Sequence, residues 1–341
     1  MTVTIKDVAS RAGVSLSTVS LVLNKKHNVS EETRLKVHQT IKELKYHPRR
    51  TARGLASKRS GNIGFILTED HFSRAEPFYT KIFLGTEFEA RQHNYYVLLT
   101  TVSKIFRKNR DVPRFLLERN VDGVILAGSI PFNLISYIQK KNIPLVFVDF
   151  LPKSGPASAV LIDNFDGAYQ AVSYLVRIGH RRIAFMAGDL EHPSLKERFG
   201  GYRKALEDSG IAFDEKLTMI NEPFTAFQDG CEATRKLLSR DVFFSAIFAG
   251  NDAMAQGCLR SLREHNIGVP AKVSIVGFDD IESDVHVEPH LTTVRVNKEE
   301  LGAIAVRKLV EMIENGKTVY GKNLLPVELV IRGSTRDCNE F

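Results

Sequence analysis

The hydrophobic positions of the chain follow two different periods, and the change falls near residue 61. In the first segment Ile5, Val8, Ala9 and Ala12 stand at i, i+3, i+4 and i+7, which predicts one apolar stripe on a short helix. Gly13 suits the end of that helix, because glycine tolerates a positive φ. Ser15 then offers a cap to a second helix, "LSTVSLVLN", whose inward positions are Val19, Val22 and Leu23. Ser17, Ser20, Leu21 and Asn24 face away from that stripe. A third helix follows in "NVSEETRLKVHQTIKELKY", with Ser30 as cap, Glu31 and Glu32 on the favourable end of its dipole, and Val37, Ile41 and Leu44 inward.

From Asn62 onward the pattern becomes continuous apolar runs alternating with amphipathic stretches. The runs "NIGFILT", "YYVLLTT", "VDGVILAG", "PLVFVDF", "SAVLID", "RIAFMAG", "SAIFAGN" and "VSIVGFDD" read as strands. "FYTKIFLGTEFEARQHN" and "AYQAVSYLVRIGH" read as helices between them. Such alternation predicts parallel sheets covered on both faces, and two successive sets suggest two doubly wound lobes. A tail strand, "NLLPVELVIRGST", returns late and is expected in the second lobe. No internal repeat or low-complexity segment is evident.

Composition adds little until charge is mapped. A chain of 341 residues with 43% hydrophobic and 26% charged residues is ordinary globular material for two to three domains. No apolar run reaches the roughly 18 residues of a membrane span, and "MTVTIKDVAS" does not read as a secretory signal. Cys231, Cys258 and Cys338 show neither metal spacing nor a paired framework, so a reducing cytoplasm is the expected location. The charge, however, is uneven. Residues 1–60 hold 13 Lys/Arg against 4 Asp/Glu, while the whole chain is only +7. A solvated basic tail would explain the excess, but this block carries helical periodicity and caps throughout. A folded module that binds a polyanion is the better reading.

Two short helices joined by a glycine turn, with a third behind them, describe a helix-turn-helix unit. Its second helix enters the major groove of DNA, and small polar side chains let it approach base edges. The stretch "TIKDVASRAGVSLSTVSLVLNKKHNVSEETRLKVHQTIKELKYHPRRTARGLAS" resembles, without gaps, the amino-terminal headpiece of the LacI/GalR (lactose-repressor) family of bacterial transcription regulators. The resemblance assigns base reading to Leu16, Ser17 and Leu21, and phosphates or nearby bases to Thr18, Ser20, Asn24 and Asn28. Leu21 departs from the polar residue often found there; a leucine cannot donate to guanine but can pack on a thymine methyl.

The segment "RRTARGLASKRS" carries Arg49, Arg50, Arg53, Lys58 and Arg59 around one large apolar residue, Leu55. By resemblance this is a hinge helix that orders on DNA, two copies meeting in the minor groove with their leucines wedged into the central base step. An apolar wedge of that kind kinks the duplex, at a few kcal/mol recovered through added contacts. Arg53 and its neighbours would neutralise phosphates. Gly54 weakens the helix by about 1 kcal/mol relative to alanine, which suits a segment that melts without DNA.

The body resembles the same family's effector domain, with the fold of periplasmic sugar-binding proteins. The pieces that carry this are "VDGVIL", "AVLIDNFDGAYQAVSYLVRIGHRRIAF", "ERFGGYRKAL", "AIFAGNDAMAQG" and "VSIVGFDDI". The expected architecture is an all-α headpiece at 1–48, a hinge at 49–61 and an α/β effector and dimerisation domain at 62–335. Lobe 1 is expected at about 62–161 and 292–322, lobe 2 at about 162–291 and 323–335, with crossings near Ile162, Leu291 and Asn323. Open α/β sheets bind ligands beyond the carboxyl ends of their strands. Those ends carry Asp149, Asn251 and Asp279, acceptors and an amide suited to hydroxyl groups, and Arg198 can make bidentate contacts. The resemblance places ligand contacts at Phe78, Tyr79, Asp149, Phe150, Arg198, Asn251 and Asp279, and less securely at Phe224; His192 and Ser194 are weaker candidates. Asp252 reads better as a helix cap than as a ligand contact, and Asp163 as a similar turn residue.

Enzyme signatures do not hold up. "NGKT" at 315–318 ends like a phosphate loop, but Glu311 stands where its first glycine belongs. G-x-S-x-G, H-E-x-x-H and G-x-G-x-x-G are absent. No cofactor or metal is expected. The sequence therefore predicts a cytoplasmic, nucleoid-associated repressor that binds double-stranded operator DNA as a homodimer without a coiled-coil tetramer. It would sense a sugar or sugar derivative between the lobes. A nucleobase effector, or a solute-binding role in transport, are the alternatives; the latter leaves the basic headpiece unexplained.

Overall fold

The computed structural model describes residues 3–23, 29–46, 59–69, 77–107, 110–152, 155–222 and 225–338. The amino-terminal unit is three helices, α1 (Ile5–Ala12), α2 (Leu16–Leu23) and α3 (Glu31–Glu43). Their starts and stops follow local chemistry. The Thr4 amide and hydroxyl both donate to Asp7 Oδ2 at 2.7 Å at the start of α1, and Gly13 ends the helix at φ 63°. Ser15 accepts the Thr18 amide at 3.1 Å, and Ser30 accepts that of Thr33. Val8, Ala12, Val19, Val22 and Val37 close into one small core with Tyr46.

The body consists of two six-stranded sheets. The first contains β1 (Asn62–Thr68), β2 (Tyr96–Val102), β3 (Gly123–Ala127), β4 (Leu145–Val148), β5 (Ser158–Ile162) and β11 (Gly321–Leu325), ordered β11-β5-β4-β3-β1-β2 and parallel throughout. The second contains β6 (Ile183–Gly188), β7 (Thr218–Glu222), β8 (Ala246–Ala249), β9 (Ser274–Asp279), β10 (Thr292–Arg295) and β12 (Glu328–Val330), ordered β12-β10-β9-β8-β6-β7. Only β12 runs antiparallel to its neighbour there.

Each sheet lies between two helical layers, because its strands are apolar on both faces. The first is covered by α4 (Pro77–Gln92) and α11 (Lys298–Asn315) on one side, and by α5 (Arg114–Leu117) and α6 (Phe132–Lys140) on the other. The second is covered by α7 (Asn164–Arg177) with α8 (Pro193–Asp208), and by α9 (Phe227–Leu238) with α10 (Asp252–Glu264). The paired helices touch through backbone. A Cβ on Gly302 would fall 2.1 Å from the Ile82 carbonyl, and one on Gly257 2.1 Å from that of Phe227.

Strand membership corrects two expected boundaries. The first crossing between lobes falls at Asp163, between β5 and α7. The second falls at 296–297 rather than near Leu291, because β10 pairs with β9 in register Thr292↔Val276 and so belongs to lobe 2. The third falls at 326–327 rather than near Asn323. The tail is also two strands, not one: residues 321–325 join lobe 1, and residues 328–330 join lobe 2. Pro326 lies at the break, where the lack of an amide proton ends a ladder. Strand β7, at the edge of its sheet, was not expected.

Candidate functional site

The carboxyl ends of β4 and β9 face each other across the two lobes, and both turn sharply there. Asp149 has φ 55°, Asp279 φ 115° and Asp280 φ 53°, values that side chains adopt rarely and that cluster at functional sites. Asp149, at 7% exposure, accepts the Tyr79 hydroxyl at 2.9 Å on one oxygen and the Ser194 hydroxyl at 3.1 Å on the other. Tyr79 comes from α4 of lobe 1 and Ser194 from α8 of lobe 2, so this carboxylate is held from both sides. Burial first, then the Asp149 charge, push the Tyr79 phenol well above its usual range, which keeps it a donor.

Arg198 lies in the second turn of α8, buried at 5% exposure. Its Nε donates to Asn164 Oδ1 at 2.8 Å, Nη1 to the Gly250 carbonyl, and Nη2 to Asp279 Oδ1 at 3.3 Å. The guanidinium also stacks on Phe278, with Cζ 3.6 Å from the ring centroid. Burial raises the Asp279 carboxyl to about 6, with Arg198 and Lys298 pulling it back down. Lys298 Nζ donates to the Asp279 carbonyl and, at 3.2 Å, to that of Asp280.

Burial also lowers the His192 imidazole, which stays neutral, and its buried Nδ1 has no protein hydrogen-bond partner. A buried polar atom left unmatched beside Asp149 and Arg198 is a place for a ligand to bond.

The sequence-predicted contacts divide into three groups. Tyr79, Asp149, Arg198 and Asp279 converge on the cleft, together with Ser194. Phe78 packs edge-on against Tyr79 at 5.0 Å, and Phe150 leans on Phe147 at 6.0 Å. Asn251 caps α10 by accepting the Met254 amide at 2.9 Å, and its Nδ2 donates to the Thr225 carbonyl. That corrects the reading of Asp252 as the cap. Asp252 is fully buried instead, accepting from Thr293 Oγ1 and from the Ile281 amide. Asp163 caps α7 by accepting the Asp166 amide. Asn164, Phe278 and Lys298 were missed; Lys298, a cation at the positive end of a helix dipole, was the one legible anomaly.

In the headpiece, Leu16 and Leu21 of α2 are 44% and 36% exposed, with Ser17 exposed beside them. Thr18 and Ser20 are half-buried on the same helix, and Ser15 bonds the Ser17 and Thr18 hydroxyls. Asn24, Asn28, Arg53, Leu55 and Phe224 lie outside the described residues.

The comparisons with known proteins fit both parts of the chain. Residues 4–49 match the model for bacterial regulatory proteins of the lacI family, and residues 172–335 match a periplasmic binding protein-like domain. Catabolite control protein A of Priestia megaterium is 34% identical over 339 residues, covering 98% of this chain and 100% of that protein. The chain belongs to the lacI family of bacterial regulatory proteins. A lac repressor dimer bound to operator and the anti-inducer ONPF superposes with TM-score 0.83 at 31% identity, covering 98% of this chain and 100% of that one. A transcriptional regulator CelR–cellobiose complex superposes with TM-score 0.75 at 34% identity, over 97% and 99%. Membership in the lacI family makes the chain a DNA-binding transcriptional regulator, and its relatives are regulators rather than enzymes. Among the described residues no helix is long and apolar enough to cross a membrane.

Proposed function

We propose that the chain is a repressor that binds operator DNA as a two-fold dimer and is switched by a sugar or sugar derivative held between its lobes. The observation that carries the effector reading is Asp149, gripped by Tyr79 from one lobe and Ser194 from the other, beside the unmatched His192 Nδ1. Hydroxyl groups both donate and accept, so a polyol satisfies carboxylate oxygens and a neutral imidazole together. The cellobiose complex of a 34% identical regulator supports the same class.

The two-fold dimer follows from the headpiece, since one α2 reads one half-site and the Leu55 hinges must meet at the centre. In this reading Leu16, Ser17 and Leu21 meet base edges, Thr18, Ser20, Asn24 and Asn28 meet phosphates or flanking bases, and Arg53 supports the Leu55 wedge. Phe78, Phe150 and Asn251 also face the effector in this reading, and Phe224, outside the described residues, is assigned to it by the family resemblance alone.

The test is thermal melting against a panel of neutral sugars, sugar phosphates and purines, run beside selection of bound duplexes from a random pool. A ligand at 100 times its dissociation constant adds about 2.7 kcal/mol of stability. A shift with one sugar that Asp149→Ala abolishes, and a palindromic selected site, are the expected results. A shift with purines alone would overturn the sugar reading and leave the regulator intact.

A further inference from the structure

Helix α11 spans about 27 Å at roughly 1.5 Å per residue, and its two ends touch two different parts of the molecule. At its first residue, Lys298 Nζ donates to the carbonyls of Asp279 and Asp280, where β9 of lobe 2 enters the cleft. At its far end, Arg59 Nη2 donates to the Ile313 carbonyl at 3.0 Å. That carbonyl belongs to the last four of the helix, which have no partner within it. The last turn contains Glu314, with Glu311 just before it, and no basic residue, so the sequence adds negative charge to the negative end of the dipole. Arg59 brings the counter-charge from outside the helix.

The residues beside Arg59 are anchored as well. The Ser60 and Gly61 amides donate to the two oxygens of Asp122, at 2.6 and 2.8 Å. The end of the basic linker is thus attached to the same helix whose other end touches lobe 2. Between the ends α11 lies on the first sheet, with Leu309 and Ile313 against Gly123 and Gly302 against the backbone of α4.

We infer that α11 couples the cleft to the DNA-side linker, with Lys298 as the positioning residue at lobe 2 and Arg59 as the positioning residue at the linker. Any relative movement of the lobes displaces the Asp279 and Asp280 carbonyls, pulls on Lys298 and is felt at the Arg59–Ile313 contact. This rests on the proposed regulator reading for its purpose, since the linker is where Leu55 would order on DNA.

The experiment is hydrogen exchange on the full chain with neither DNA nor effector present, so its outcome is independent of the ligand panel and site selection. Lys298→Met is expected to speed exchange of the Ser60 and Gly61 amides about 5-fold or more, the lower range for coupled sites, and Lys298→Arg to restore it. Arg59→Gln should in turn speed exchange at Asp280 and Ile281, because coupling is reciprocal. Arg182→Met, which cuts the 2.8 Å ion pair with Asp214 inside lobe 2, is the control and should leave residues 60 and 61 unchanged. The inference fails if Lys298→Met acts only within residues 279–300, or if Arg182→Met has the same effect at the linker. Should Lys298→Met not fold, the Arg59→Gln arm decides alone.

Discussion

Ser194 of the second lobe donates its hydroxyl to Asp149 of the first at 3.1 Å, across the cleft between them. The acceptor is a buried carboxylate that also takes the Tyr79 hydroxyl, so the bond ties the lobes through a group that must keep its partners. A hydrogen bond to a charged group contributes about 1.5–3 kcal/mol. Ser194→Ala should therefore lower the stability of the ligand-free chain by about that amount and weaken effector binding with it. Urea unfolding checks the first part; an unchanged midpoint would show that the bond contributes nothing to holding the lobes together.

Asp279 gives a pH signature. The unfolded chain releases this proton near 3.8, whereas burial holds the folded carboxyl to about 6. Between those values the native state binds more protons than the unfolded state, so this group's contribution to stability falls as pH rises and is fully lost above the window. Asp279→Asn removes that titration. The stability difference between wild type and variant should shift against wild type from about pH 4 to pH 6 and then level off. A difference that is flat with pH would refute the assignment.

The backbone contact between α4 and α11 leaves no room for a methyl group. Gly302→Ala would place a Cβ 2.1 Å from the Ile82 carbonyl, and overpacking of this kind costs about 1–3 kcal/mol. A clear drop in melting temperature is expected, together with faster exchange in both helices. Gly155→Ala, with nothing within 4 Å of the added atom but a φ of 87°, separates backbone strain from crowding.

Leu55 carries the prediction for DNA. Leu55→Ala should weaken binding to the selected operator far more than binding to random duplex, because only the kinked complex uses the wedge. Binding titrations at one fixed salt concentration make the comparison meaningful. Equal losses on both DNAs would reject the wedge.

The headpiece was largely legible because its information is local. Gly13, Ser15 and Ser30 act within one turn of their own positions, and the 3.6-residue period of Val8, Ala12, Val19 and Val22 needs no distant partner to be read. The β runs were legible for a similar reason: strands buried on both faces must be continuously apolar, and β1, β3, β4 and β6 are.

What the sequence could not decide was membership and pairing. "LTTVRV" has no feature that assigns it to either lobe; pairing with β9 does. Asn251 and Asp252 are adjacent and chemically alike, yet one caps α10 from extended backbone at φ −153° while the other, the first helical residue, is buried beneath Thr293. Chemistry at strand ends marked Asp149 and Asp279 as candidates by type alone. Only tertiary packing set Tyr79 against Asp149 within the first lobe, Arg198 against Asp279 within the second, and Ser194 against Asp149 across the cleft, because such a site consists of residues far apart in the chain, and no local pattern records that distance.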